Sequence, residues 1–259
     1  GFDLTAFTQQ HGWELYRAAL GSAHLVVHSE FAQRQLTEHR LPGSERVVMG
    51  VDRQLFAARP RPANWGAPLH MISVGRLYEQ KGHDLAIRTL AELRARRPEL
   101  DVRLRIVGDG PRMESLHRLA EELGVRGFVA GPAPARPLEV AAALFEADLA
   151  LVPSRVMPDG WQEAFCRVAI EAMSTGLPVV ATRSGGLPDT VGEGGIVAVR
   201  EDAAALADAA EAVLSAMGPV DWAVRAARSA ARFDIARMYD GYQRLTAELL
   251  ERGSAVTAI

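Results

Sequence analysis

Short apolar runs alternate with amphipathic stretches along most of the chain. The runs LHMISVG (69–75), VRLRIVG (102–108), RGFVAG (126–131), DLALVPS (148–154), LPVVAT (177–182) and IVAV (196–199) are bounded by Gly, Pro or polar clusters. Such runs predict strands. Between them, residues 83–97, 112–124, 137–147 and 163–176 carry apolar residues at helical spacing, and Gly124 closes the second of these helices. Strands this apolar, alternating with helices, predict a parallel sheet covered on both faces. Residues 69–200 therefore read as a doubly wound α/β domain. Ahead of it, HLVV (24–27) predicts a strand and Phe31 to His39 a helix. The Pro/Arg/Ala-rich stretch AARPRPANWGAP (57–68) reads as a linker. From Ala203 to Arg252 the chain is Ala-rich and helical, with breaks at Gly218-Pro219 and near Asp234.

Open parallel sheets bind ligands outside the carboxyl ends of their strands. Each loop directly after a strand is thus a candidate site element. The first strand ends in VGRLYEQKGHD, where Gly75 frees the turn and Arg76 and Lys81 stand five positions apart. Two cations beside a helix start suit a pyrophosphate, through a guanidinium fork, a compact ammonium and unpaired N–H groups. The same two residues also fit an ordinary solvated loop. Composition changes the balance: of 29 basic residues, Lys81 is the single lysine. A chain that uses Arg almost everywhere retains Lys here, where a point charge on a flexible stem differs from a planar fork.

The second strand ends in VGDGPR, in which Gly108 and Gly110 permit a tight turn. This is not a G-x-G-x-x-G fingerprint, which disfavours a dinucleotide site. After the fourth long strand comes EAFCRVAIEAMSTG. With Glu163 at the helix start, Glu171 would lie about two turns on, roughly 12 Å along the axis on a similar face. That separation is too long for a glycosidase carboxylate pair but suits two sets of sugar hydroxyls. Taken singly, the favoured readings are a helix-dipole partner for Glu163 and an exposed position for Glu171. Cys166, read in the first turn of this helix, would have its thiolate stabilised there, yet no His pattern supplies a base, and packing is the favoured reading.

The 259 residues suffice for one large or two modest domains. Hydrophobic residues at 48% and charged residues at 24% are ordinary for a globular protein. A net charge of -3 and a pI of about 6.2 give no general attraction to nucleic acid or anionic membrane. No run approaches the ~18 apolar residues of a membrane span. The opening GFDLTAFTQQ has no signal-peptide pattern. One cysteine forms no intrachain disulfide, which suits a reducing compartment, and the seven His show no metal-ligand spacing such as HExxH.

Together VGRLYEQKG (74–82), IVGDGP (106–111), VAG (129–131), ADLALVPS (147–154) and EAFCRVAIEAMSTGLPVVATRSGGLPD (163–189) resemble the retaining GT-B glycosyltransferases, whose E-x7-E signature the last segment contains. GFD (1–3), VVHSE (26–30) and GVD (50–52) are similar to the end of that family's N-terminal domain, most closely in the exopolysaccharide or colanic-acid type. The resemblance implies a GT-B fold. Residues 1–56 would end the acceptor domain, 69–233 would form the Rossmann-like nucleotide-sugar domain, and 234–252 would be a helix crossing back.

It further implies that Arg76 and Lys81 hold the donor diphosphate and stabilise the leaving group, with Gly75 and Gly108 shaping the loops. Glu171 would bind the ribose. Glu163 would bind the donor sugar near the reacting carbon. Backbone at Ala164, Phe165 and Cys166 would meet sugar and phosphate, and backbone near Val129 and Ala130 the base. The expected activity is hexose transfer from a nucleotide-sugar to a glycan or lipid-linked acceptor, with retention and no essential metal or other cofactor. The expected location is cytoplasmic, with peripheral contact at the inner membrane face.

The sequence departs from the family pattern where Ala164 and Cys166 replace glycines and Asp189 a commoner Glu. The family's His preceding the Gly matched by Gly1 is not in this sequence, so the chain is expected to be N-terminally incomplete. The alternative is a non-catalytic nucleotide-sugar-binding module. A nucleotide-sugar epimerase or a pyridoxal-phosphate phosphorylase is a weaker alternative, since Lys81, the only lysine for the latter, lies in a phosphate-type loop.

Overall fold

The computed structural model describes residues 8, 11–20, 23–41 and 44–251. The GFD match at 1–3 lies outside them. The first part contains α1 (Trp13–Leu20), β1 (Leu25–Val27), α2 (Glu30–Glu38) and β2 (Ser44–Arg46), with β1 and β2 paired in parallel. The main body follows as β3 (Leu69–Val74), α3 (His83–Arg96), β4 (Val102–Val107), α4 (Met113–Glu122), β5 (Val129–Ala133), α5 (Pro137–Phe145), β6 (Leu149–Val152), α6 (Arg167–Ser174), β7 (Val179–Ala181), α7 (Leu187–Val191), β8 (Gly195–Val197), α8 (Ala203–Ala216), α9 (Pro219–Ala230) and α10 (Ile235–Glu251).

The six strands β3 to β8 form one parallel sheet in the order β5-β4-β3-β6-β7-β8. The chain winds outward from β3 to β5, then returns so that β6 lies on the other side of β3. The switch point is therefore between β3 and β6, and the crevice opens beyond Val74 and Val152. β6 and β7 are buried throughout, as the expectation of two covered faces requires. β4 departs from it. Val102, Leu104 and Ile106 are buried against one helix layer, whereas Arg103 and Arg105 on the other face are exposed. The nine-residue α5 leaves that side of the sheet open, and VRLRIV alternates accordingly.

Two element boundaries also differ from the sequence reading. The helix expected over 163–176 starts only at Arg167, because tertiary hydrogen bonds at Glu163 take backbone groups that a helix would use. The Glu163 N–H donates to Ser184 Oγ (3.1 Å), and the Glu163 carbonyl accepts from Gly186 N–H (2.7 Å). Cys166 is the extended cap residue, with φ −111° and ψ 96°. The strand expected over 126–131 runs instead from Val129 to Ala133, since Arg126–Phe128 form a single 3-10 turn.

The first part and the main body are stitched at the segments that cross between them. Val51 pairs with the chain at Asp234: Val51 N–H donates to the Phe233 carbonyl (2.9 Å) and Ile235 N–H to the Val51 carbonyl (3.2 Å). α10 then packs Leu245 and Leu249 on Val26 and Val47. Residues 57–68 hold no helix or strand but are anchored to the main body. Arg61 donates to the carbonyls of Ala147 (2.6 Å) and Thr175 (3.2 Å), and Trp65 Nε1 to that of Leu214 (3.1 Å).

Candidate functional site

The loop after β3 is built on Leu77, which is fully buried. Its N–H donates to the Asp109 carbonyl (2.8 Å), and its carbonyl accepts from Arg112 N–H (3.1 Å), so the loop is tied to the turn after β4. Gly82 then turns the chain into α3 with φ +66°. A Cβ there would lie 1.9 Å from the Pro153 carbonyl oxygen, so only glycine lets the Lys81 loop close against the end of β6. Gly108 serves the neighbouring contact, where a Cβ would lie 1.9 Å from the Gly75 carbonyl oxygen.

These close approaches frame a cavity of about 470 Å³ at the switch point. Gly75, Arg76 and Lys81 line it from the β3 side, Pro153 and Ser154 from the end of β6, and Phe165, Cys166 and Glu171 from α6 and its approach. Three charged groups named from the sequence, Arg76, Lys81 and Glu171, thus meet there. Glu163 joins them through Lys81: Lys81 Nζ lies 2.5 Å from Glu163 Oε2. The same oxygen accepts from Ser154 Oγ at 3.1 Å. Glu163 is 5% exposed, so its carboxylate is desolvated and matched by one ammonium and one hydroxyl.

Glu171 is also buried, and burial raises its carboxyl above the ordinary range, with Arg167 beside it (3.4 Å) opposing the shift. Glu163 and Glu171 do not stand two turns apart on one helix face. Glu163 precedes the helix, and with Ala164 and Phe165 it lines an adjoining cavity of about 260 Å³ that faces β1 and α2. Phe165, set edge-on to Phe233, lines both cavities.

Cys166 stands at the cap and not in the first turn of the helix, and the favoured packing reading holds. Its thiol is buried and pushed up to about 12, first by burial and then by the Glu163 charge. It is a protonated cap residue and not a stabilised thiolate. Val129 and Ala130 are not brought to the switch-point cavity. They line a separate groove of about 580 Å³ with Arg103, Arg105 and the end of α5. The sheet register explains this, since Val129 pairs with Leu104 and Ala133 with Val107. The carboxyl end of β5 is Ala133, whose carbonyl accepts from Gly108 N–H (2.7 Å) beside the mouth.

Three supporting residues escaped the sequence reading. Ser154 and Ser184 hold Glu163 from loops distant in sequence, although Ser154 lies in the quoted ADLALVPS motif. His83, one residue into α3 after Gly82, is buried with Nδ1 3.0 Å from Ser73 Oγ. Burial pushes it down to about 4, so it is neutral. Among the described residues, no cluster of three His, Cys, Asp or Glu side chains forms a metal site.

Comparison with known proteins follows this geometry. Residues 68–216 match the family model described as "Glycosyl transferases group 1". A D-inositol 3-phosphate glycosyltransferase of Corynebacterium aurimucosum is 37% identical over 213 residues, which are 73% of this chain and 48% of that protein. A GDP-mannose-dependent alpha-(1-6)-phosphatidylinositol monomannoside mannosyltransferase of Mycolicibacterium smegmatis is 36% identical over 167 residues, 64% of this chain and 43% of its own length. The chain thus spans about half the length of the curated relatives it matches. Among solved structures, Anabaena Alr3699/HepE in complex with UDP aligns with a TM-score of 0.75 at 20% identity, covering 94% of this chain and 68% of that one. This likeness shows the fold, a GT-B α/β architecture. With the family model matched from just before β3 to the end of α8, the chain belongs to the group 1 glycosyl transferases.

Proposed function

We propose that this chain is the donor-binding part of a retaining hexosyltransferase that takes a nucleoside-diphosphate sugar and serves a glycan or lipid-linked acceptor. The observation that carries the reading is the switch-point cavity, where Arg76, Lys81 and Glu171 converge and Glu163 bonds Lys81. A diphosphate entering between Arg76 and Lys81 meets two cations in a partly water-excluded cleft. Those cations then stabilise the charge that grows on the leaving phosphate as the bond to the sugar breaks. Glu171 accepts from the ribose hydroxyls. Glu163, released from Lys81 by the competing phosphate, accepts from the sugar hydroxyls.

In the transfer step the sugar C1–phosphate oxygen bond breaks and a C1–acceptor oxygen bond forms on the same face. The acceptor proton passes to the departing phosphate oxygen. The reading assigns no step to a metal, and transfer is expected to persist in EDTA. The relatives support nucleotide-sugar chemistry: one is named as GDP-mannose-dependent and another fold neighbour was solved with UDP. The inferred colanic acid biosynthesis glycosyltransferase WcaL of Salmonella typhimurium, 39% identical over 161 residues (61% of this chain and 39% of that protein), supports an exopolysaccharide-type acceptor. Action at the cytoplasmic face of a membrane belongs to the same proposal.

Calorimetry tests donor binding. The folded chain should bind UDP or GDP. Lys81→Ala and Glu171→Ala should each weaken that binding at least tenfold. A folded wild type that binds neither nucleotide at millimolar concentration refutes the reading.

A further inference from the structure

The segment between β6 and α6 presents a side chain that none of the roles above uses. Its start, Arg155, is pinned at several points. The Arg155 N–H donates to the Gln80 carbonyl (2.8 Å), and its guanidinium lies 2.5 Å from Asp84 Oδ2 and 3.7 Å from Glu201 Oε1. Val156 N–H donates to Glu201 Oε2 (2.8 Å). Further along, Met157 N–H donates to the Trp161 carbonyl (2.9 Å), Gly160 N–H to the Met157 carbonyl (2.9 Å), and Trp161 N–H to Asp159 Oδ1 (3.0 Å). Every one of these bonds uses main chain or another residue's side chain. None of these bonds uses the Trp161 indole.

The chain has four tryptophans, and three serve packing. Trp13, Trp65 and Trp222 each lie in or against a hydrophobic cluster. Trp161 joins none of the four clusters among the described residues. It is half-buried, with its ring centroid 5.4 Å from Lys81 Nζ, within cation–π range. Two residues on, Glu163 bonds that same ammonium. A large aromatic surface kept out of the core, beside a phosphate-type cation and a buried carboxylate, offers what a pyranose presents. The ring can cover an apolar C–H face, the carboxylate can take hydroxyls, and the ammonium can take the adjoining phosphate.

We propose that Trp161 is a specificity-determining residue, the apolar wall of the donor's hexose subsite, touching the sugar and not the nucleotide. This rests on the nucleotide-sugar reading above. The test compares wild type, Trp161→Ala and Trp161→Phe by calorimetry with UDP, GDP, UDP-glucose and GDP-mannose. The measured quantity is the affinity for a sugar conjugate divided by the affinity for its bare nucleotide. For whichever nucleotide binds, Trp161→Ala should lower this ratio about fivefold to twentyfold, in the range of a lost ring contact. Affinity for the bare nucleotide should stay within twofold, which also reports an intact fold, and Trp161→Phe should keep most of the ratio. An unchanged ratio, or equal losses for nucleotide and conjugate, overturns the proposal while leaving nucleotide binding standing. A wild type that binds no nucleotide overturns both.

Discussion

Removing the Lys81 ammonium should expose how far the site is organised around one buried ion pair. Glu163 Oε2 sits 2.5 Å from Lys81 Nζ, with the two side chains 7% and 21% exposed. Deleting one partner of a fully buried pair costs about 3–5 kcal/mol, because the other charge stays desolvated. Lys81 is one-fifth exposed and Ser154 Oγ remains on the carboxylate, so Lys81→Ala should cost about 2–3 kcal/mol. For a chain of this size that is a fall in Tm of about 4–10 °C. Glu163→Gln keeps the shape and the Ser154 contact and leaves an ammonium that reaches water, so its cost should be about 1 kcal/mol. In the double variant no buried charge is stranded. Its loss should match the milder single change, giving a coupling of about 2–3 kcal/mol. The assay is a double-mutant cycle by urea unfolding at constant m value. Losses that add within about 0.5 kcal/mol would refute the reasoning, since the two groups would then act independently.

Other outcomes follow from the same cavity. Glu171 has a folded carboxyl raised by burial, so the native state holds its proton more tightly than the unfolded chain. That contribution is neutral well below the ordinary value of 4.5 and becomes unfavourable as pH rises through the raised one. Glu171→Gln should therefore raise stability at pH 7 and leave it unchanged near pH 3.5 in urea unfolding, while weakening nucleotide binding. A destabilised variant at pH 7 would contradict this. Cys166, with its thiol buried and pushed up to about 12, should resist a thiol reagent at pH 8 in the native state and react as one thiol in guanidinium. Rapid native labelling would show the cap to be open.

The fold was legible because its signal is periodic. Six apolar runs separated by amphipathic stretches leave few arrangements besides a parallel sheet, and Gly75, Gly82 and Gly108 stand where strands end and loops meet. Arg76, Lys81 and Glu171 could be named because each follows a strand or faces the cavity from a regular helix. The failures have a common origin in tertiary hydrogen bonds. Glu163 reads as helix until Ser184 and Gly186, some twenty residues later, take the backbone groups a helix would use, and Cys166 becomes the cap. Val129 and Ala130 sit in a strand whose register sets them two to three residues short of the mouth, and register between strands is not written in either strand alone. Trp161 lies in a non-periodic loop, and only its place over Lys81 distinguishes it from an exposed aromatic.

The measurement that bears most directly on the site is a crystal structure of this chain soaked with UDP or GDP. The diphosphate should lie beyond the ends of β3 and β6, between Arg76 and Lys81, with Lys81 Nζ drawn off Glu163 and the ribose against Glu171. A nucleotide seated in the groove lined by Arg103, Arg105 and Val129, with Lys81 still bonded to Glu163, would contradict the account.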